Sequence, residues 1–216
     1  MRTLHMVDFE KNKLRSRLEA RILDAGADDS HAAYGERKQD AVGSMTGTVV
    51  ELGPGTGANM RYYAAGTKVI AIEPNPEMHD RLRERSAEHD VDLEIRTLRG
   101  ESIDVDDASV DGVVGTLLLC GVDDPAQVVR EAHRVLRPGC TYFFVEHVKA
   151  PAGSGALRVQ RLLFRPHRWM FNGCETTRDT ESVIRRGPFS SVDVDHVDRG
   201  RSGLHVRHQI VGTAVK

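Results

Sequence analysis

Val49-Val50-Glu51-Leu52-Gly53-Pro54-Gly55-Thr56-Gly57-Ala58-Asn59 is the stretch that decides the fold of this chain. The apolar run Thr48–Leu52 reads as a buried parallel strand. It empties into a loop with glycine at every second position, where the backbone can take positive φ and a ligand can lie against it without meeting a Cβ. A helix predicted from about Thr56 would aim its free N–H groups at a bound anion. Twenty residues after Gly53, at the end of a second apolar run, Val69-Ile70-Ala71-Ile72, comes Glu73. A βαβ nucleotide site places there the carboxylate that takes the ribose hydroxyls.

Working outward, 216 residues with 39% hydrophobic content are enough for one domain with a buried core. A net charge of −2 gives no global field for nucleic acid. No apolar run approaches the eighteen or so residues of a membrane span. The first residues, MRTLHMVDFEKNKLR, have no apolar signal-peptide core. Cys120, Cys140 and Cys174 form no C-x-x-C pair. That spacing predicts a reducing compartment, a cytoplasmic location and no metal site. Ten histidines show no H-E-x-x-H spacing.

Along the chain, 9–25 reads as an amphipathic helix with Leu14, Leu18 and Ile22 on its inner face. Gly26 ends it, 27–30 reads as a polar loop and 31–44 as a second helix. These helices precede the first strand, so they are an addition to the core, either simple packing or a lid over substrate. Asn75 suits an N-cap and Pro76 a first helical position for a helix to about His89. Strands are predicted at 92–97, 110–115 and 142–148. Asp124-Pro125-Ala126-Gln127 reads as a capped helix start with Gln127 in capping-box position, and Arg137-Pro138-Gly139 as its stop. Residues 150–177 break the pattern: arginines 158, 161, 165 and 168 interleave with leucines, Trp169 and Phe171. That segment reads as a helix with solvated arginines, a pocket wall or a peripheral membrane contact. A last helix at 175–186 and strands at 192–197 and 206–215 close the chain. The predicted fold is α/β, a Rossmann-like seven-stranded mixed sheet with helices on both faces. Five strands are parallel and a C-terminal antiparallel pair completes the sheet. One domain is expected, with a helical cap at 1–45, a cofactor-binding core at 46–149 and a substrate-side arm with closing strands at 150–216.

The spacing Glu51-x-Gly53-x-Gly55-x-Gly57 differs from the dinucleotide G-x-G-x-x-G. It resembles the E/D-x-G-x-G-x-G loop of class I S-adenosylmethionine (SAM) methyltransferases. Leu136-Arg137-Pro138-Gly139 and Ser109-Val110-Asp111 strengthen the likeness. Gly57-Ala58-Asn59, Thr116 to Cys120, Val145-Glu146-His147-Val148 and Phe171-Asn172-Gly173-Cys174 extend it, over about 35–216, to the methyltransferase-like thiol S-methyltransferases. Two departures are plain: the animal members carry an N-terminal hydrophobic anchor, and cysteine is usual where Pro54 stands. The resemblance implies SAM as cofactor, S-adenosylhomocysteine as product, and a small-molecule methyl acceptor, best a thiol. It implies that Gly53, Gly55 and Gly57 face the methionine portion and that Glu51 helps hold the loop and the ammonium. Glu73 would take the ribose diol, Gly100 and Glu101 would face adenine, and Thr116 and Leu117 would border the sulfonium. Arg99 stands where many relatives have an adenine-accepting aspartate, and arginine has no acceptor. His147 is the candidate base, with a strand-end structural role as the other reading. Cys120, Trp169 and Phe171 are candidate substrate-pocket residues. A quinone, phenol or phospholipid acceptor, or SAM binding without transfer, are the rival readings. Oligomeric state is left open.

Overall fold

The computed structural model describes residues 13–200 and 203–216. The strands are β1 (Thr48–Leu52), β2 (Lys68–Ile72), β3 (Asp92–Arg96), β4 (Val110–Thr116), β5 (Leu136–His147), β6 (Ser191–Asp198) and β7 (His208–Val215). They form one sheet in the order β3-β2-β1-β4-β5-β7-β6. The first five are parallel, with Val50 opposite Ile70 on one side and Val113 on the other. β7 inserts between β5 and β6 and runs antiparallel to both. The helices are α1 (Lys13–Ala25), α2 (Ala27–Val42), α3 (His79–Glu88), α4 (Pro125–Val135), α5 (Gly155–Met170) and α6 (Thr180–Arg185).

Central strands of a parallel sheet are covered on both faces, so their side chains need apolar neighbours on both sides. The two-residue period divides them accordingly. Val50, Leu52, Ile70, Ile72, Val113, Tyr142 and Phe144 pack with the α4 stripe Val128, Val129, Ala132 and Val135. Val49, Val69, Ala71, Val114, Phe143 and Val145 pack on the other face with Val42, Met60 and Leu82. Each fully buried side chain of this size contributes roughly 1.5–3 kcal/mol. Side-chain caps start the helical segments where the sequence places them: Asn75 accepts from the Glu77 N–H and Asp124 from that of Gln127.

Several local expectations are corrected. Residues 27–30 are the first turn of α2, because Asp28 and Asp29 suit the positive end of a helix. The glycine loop opens into turns and a short 3-10 helix at Met60–Tyr62, not an α-helix. Its backbone bonds span three residues, Gly57 to Pro54 and Met60 to Gly57, so the loop does not run into an α-helix. The capping box at α4 is not closed by Gln127. Glu101 takes the Asp124 N–H instead, and Gln127 accepts from Arg130. α1 is turned from its predicted orientation. Ser16 and Glu19 are buried while Leu14 is 85% exposed and Leu18 also faces outward. Glu19 binds Asn172, and ion pairs Arg17–Glu77 (2.7 Å) and Asp24–Arg85 (2.5 Å) hold that rotation. The part of this helix predicted at 9–12 lies outside the described residues. The last helix is shorter than predicted, starting at Thr180 behind an Asp179 cap.

Candidate active site

A cavity of about 490 Å³ opens at the carboxyl ends of β1, β2, β4 and β5, where ligands of open α/β sheets bind. Gly53, Gly55, Glu73, Gly100, Glu101, Thr116, Leu117, His147 and Phe171 line it, together with Glu19, Ile22 and Leu23 of α1 and Tyr34 and Lys38 of α2. The two appended helices therefore wall the cavity.

The loop after β1 owes its shape to residues behind it. Gly53 and Gly55 sit at φ 63° and 57°, the left-handed region that glycine enters without strain. A Cβ on Gly53 would lie 2.8 Å from Leu118 Cδ1. The Gly55 N–H donates to Glu73 Oε2 at 3.0 Å, and the Asn75 N–H to Glu73 Oε1 at 2.8 Å. Glu73 thus ties the end of β2 to the glycine loop. Burial raises its carboxyl to about 7, against those two stabilising N–H groups.

Glu51 lies one layer deeper. It is completely buried, accepting from Asn59 Nδ2 at 2.8 Å and Tyr63 Oη at 2.9 Å. Asn59 also donates to Thr116 at 3.1 Å, linking the loop to the end of β4. Glu51 therefore braces the loop and does not line the cavity, a correction to its expected contact with the ammonium. Gly57 is corrected likewise: it packs against Leu82, Met60 and Arg85.

The loop after β4 is wound around a carboxylate. Glu146 accepts from the N–H groups of Leu118 (2.9 Å), Leu119 (2.8 Å) and Cys120 (3.3 Å). Burial lifts its carboxyl to about 8. Leu117, at the start of this turn, is held at φ 56°; such a conformation costs a non-glycine residue roughly 1–2 kcal/mol. Glu101 clips the same region, accepting from Asp123 and Asp124, while Arg99 pairs with Asp123 at 3.3 Å.

Two substrate-wall expectations fail on position. Trp169 is 62% exposed on the outer side of α5, beneath Arg15, and does not reach the cavity. Cys120 is buried behind it, 3.5 Å from His147 Nδ1. Phe171 does line the cavity, its ring tilted against that of His167 with centroids 4.6 Å apart. Sequence reasoning missed Lys38, Glu19, His167 and Cys174. Only Cys174 left a signal, in Phe171-Asn172-Gly173-Cys174. Burial pushes the Lys38 ammonium down to about 8 and the Glu19 carboxyl up to about 7.

A parallel sheet closed by one reversed strand, with its cavity at the first glycine loop, is the architecture of the class I SAM-dependent methyltransferases. Comparison with known proteins narrows this. Residues 50–144 match the family model described as a methyltransferase domain. The chain is 40% identical over 172 residues to the thiol S-methyltransferase TMT1B of Rattus norvegicus, covering 78% of this chain and 70% of that protein. It is 37% identical over 172 residues to the thiol S-methyltransferase TMT1A of Homo sapiens, with the same coverage. Among solved structures, a geranyl diphosphate methyltransferase in complex with SAM superposes with a TM-score of 0.62 at 15% identity, covering 83% of each chain. The chain belongs to the SAM-dependent methyltransferase family that contains the TMT1 enzymes, and SAM is its cofactor. Among the described residues no helix is long and apolar enough to cross a membrane.

Proposed function

We propose that this enzyme methylates the sulfur of a small thiol, and that the chain works as one domain in which cap, core and arm all border one cavity. The observation that carries this reading is the sharing of a single cavity by Glu73 and the Gly53–Gly55 loop on β2 and β1 and by His147 on β5. The residues fit SAM. An ionised carboxylate offers about four lone-pair sites. Gly55 and Asn75 use two at Glu73, which leaves capacity for a ribose diol. Gly53 and Gly55 leave room for the amino-acid end, and Gly100 borders the space for adenine. Thr116 and Leu117 border the place of the sulfonium.

SAM supplies a methyl group on a sulfonium, already activated for displacement. The protein's part is alignment and exclusion of water. Leu117, Leu118 and Phe171 give the acceptor an apolar wall. A thiol ionises at about 8.5 in water, so modest base help suffices at neutral pH. His147 would accept the proton through its neutral imidazole. The thiol reading is further supported by the names of the similar enzymes. The three free cysteines favour a reducing compartment and hence a cytoplasmic location.

The test is incubation with methyl-labelled SAM and a panel of thiols, phenols, amines and phospholipids. Label on sulfur is expected; label on oxygen or nitrogen alone refutes the thiol reading. His147→Ala should lower turnover about a hundredfold while leaving SAM affinity in place. Wild-type turnover would remove His147 from the chemistry.

A further inference from the structure

The spacing of the cysteines gave no sign of a metal site, yet the fold gathers two of them around a histidine. Cys120 Sγ lies 3.3 Å from Cys174 Sγ and 3.5 Å from His147 Nδ1, and Cys174 Sγ lies 3.7 Å from the same nitrogen. All three residues are buried. We propose that Cys120, His147 and Cys174 form a three-ligand site for a thiophilic divalent cation, Zn²⁺ before others, with its fourth position open to the cavity.

The geometry suits the ion. A triangle with these sides has a circumradius of about 2.0 Å, while zinc sits about 2.3 Å from sulfur and about 2.1 Å from imidazole nitrogen. An ion about 1 Å above the plane therefore meets all three ligands as corners of one tetrahedron. Two thiolates balance its charge, which makes burial tolerable.

The ligands are held from outside, as metal sites require. Glu146 grips the Cys120 N–H at 3.3 Å. The Glu175 N–H donates to the Cys120 carbonyl at 2.7 Å and joins the two cysteine loops. Arg178 donates to the carbonyls of Leu119 (2.6 Å) and Val122 (2.8 Å). Thr180 donates to the His147 carbonyl at 3.0 Å.

His147 and Cys174 border the cavity while Cys120 lies behind them, so the open corner points inward. His167 stands beside it, its ring centroid 6.5 Å from that of His147, with Nε2 buried and without a partner among the described residues. The occupant of the open corner rests on the thiol reading above; the metal site does not. On coordination the acceptor's S–H bond breaks, a metal–sulfur bond forms and the proton leaves to solvent through the cavity mouth. With the ion in place His147 is a ligand, and the proton it would otherwise take goes to solvent.

The experiment is a Co²⁺ titration of the chelator-stripped, reduced full chain under anaerobic conditions. A near-ultraviolet thiolate-to-cobalt band and intense visible bands of a tetrahedral ion are expected, both abolished by added Zn²⁺. Cys120→Ser and Cys174→Ser should lose them while still binding SAM by calorimetry, which shows that they fold. Cys140→Ser should keep them. Absence of the bands in wild-type protein whose thiols all titrate as free overturns the site. So does a Cys120–Cys174 disulfide, located by peptide mapping in the chain as isolated, before reduction. Cobalt bands with methyl label only on oxygen or nitrogen would leave the metal site and overturn the thiol acceptor. Label on sulfur without cobalt bands would do the reverse.

Discussion

Replacing Glu73 by alanine separates what the residue does for the cofactor from what it does for the fold. The carboxyl is buried, which pushes it up to about 7 from its ordinary 4.5. Because the folded value lies above the unfolded one, its contribution to stability is greatest below 4.5 and declines as pH rises through 7. At 1.36 kcal/mol per unit the decline totals about 3 kcal/mol. Alanine removes that burden at pH 8 but strands the N–H groups of Gly55 and Asn75, at roughly 1–3 kcal/mol each. The two effects nearly cancel, so the melting temperature at pH 8 should change little. Cofactor binding runs the other way. The ribose hydroxyls donate to the ionised carboxylate, and two charge-assisted bonds are together worth at least about 3 kcal/mol, or about 150-fold in affinity. Calorimetric titration with SAM should show that loss in Glu73→Ala. In the wild type, affinity should climb about tenfold per pH unit up to 7 and level off above it. An undiminished affinity in the variant, or a flat pH profile in the wild type, refutes the assignment of Glu73 to the ribose.

Three further outcomes follow from packing and position. Gly212→Ala would place a Cβ 2.1 Å from the Asp193 carbonyl and 2.8 Å from Phe144 Cζ. The expected cost is about 3 kcal/mol, or a fall in melting temperature of about 6–12 °C; an unchanged melt would show that β6 can move aside. Trp169→Ala should leave SAM affinity and turnover within about twofold, as exposed substitutions do. A large loss of turnover at unchanged stability would return Trp169 to the acceptor wall. Asn59→Ala removes one of the donors to the buried Glu51, leaving Tyr63 among the described residues, and should destabilise the protein by about 2 kcal/mol; a neutral effect in chemical denaturation would argue against the brace behind the glycine loop.

What could be read in the sequence was local. The Thr48–Leu52 strand, the glycines beyond it and Glu73 lie within one strand–loop–strand unit, where period and spacing carry the information. Asn75 and Asp124 declared themselves because a cap acts on its own next turn. The rotation of α1 did not, since it is set by Asn172 and Glu77, distant in the chain. The glycine loop failed as a helix start because residues behind it, Glu51 and Asn59, fix its path. Gln127 lost its expected role to Glu101, a competitor in another loop. The meeting of Cys120, His147 and Cys174 was invisible for a like reason. Cys120 follows β4, His147 ends β5 and Cys174 follows α5, and only the tertiary fold brings the three together.

The reversed strand also sets an order of assembly. β6 leaves the ribosome before β7, its neighbour in the sheet among the described residues, and β5 must hold its outer edge open until that same strand arrives. The outer edge of the sheet thus waits on β7, and the β5–β7 pairing, which joins Tyr142 to the distant Ala214, is of the kind that forms slowly. Until then two strand edges stand bare, and bare edges are where nascent chains stick to one another. A chaperone requirement during synthesis should therefore track mutations in β7 more closely than mutations in the cofactor loop.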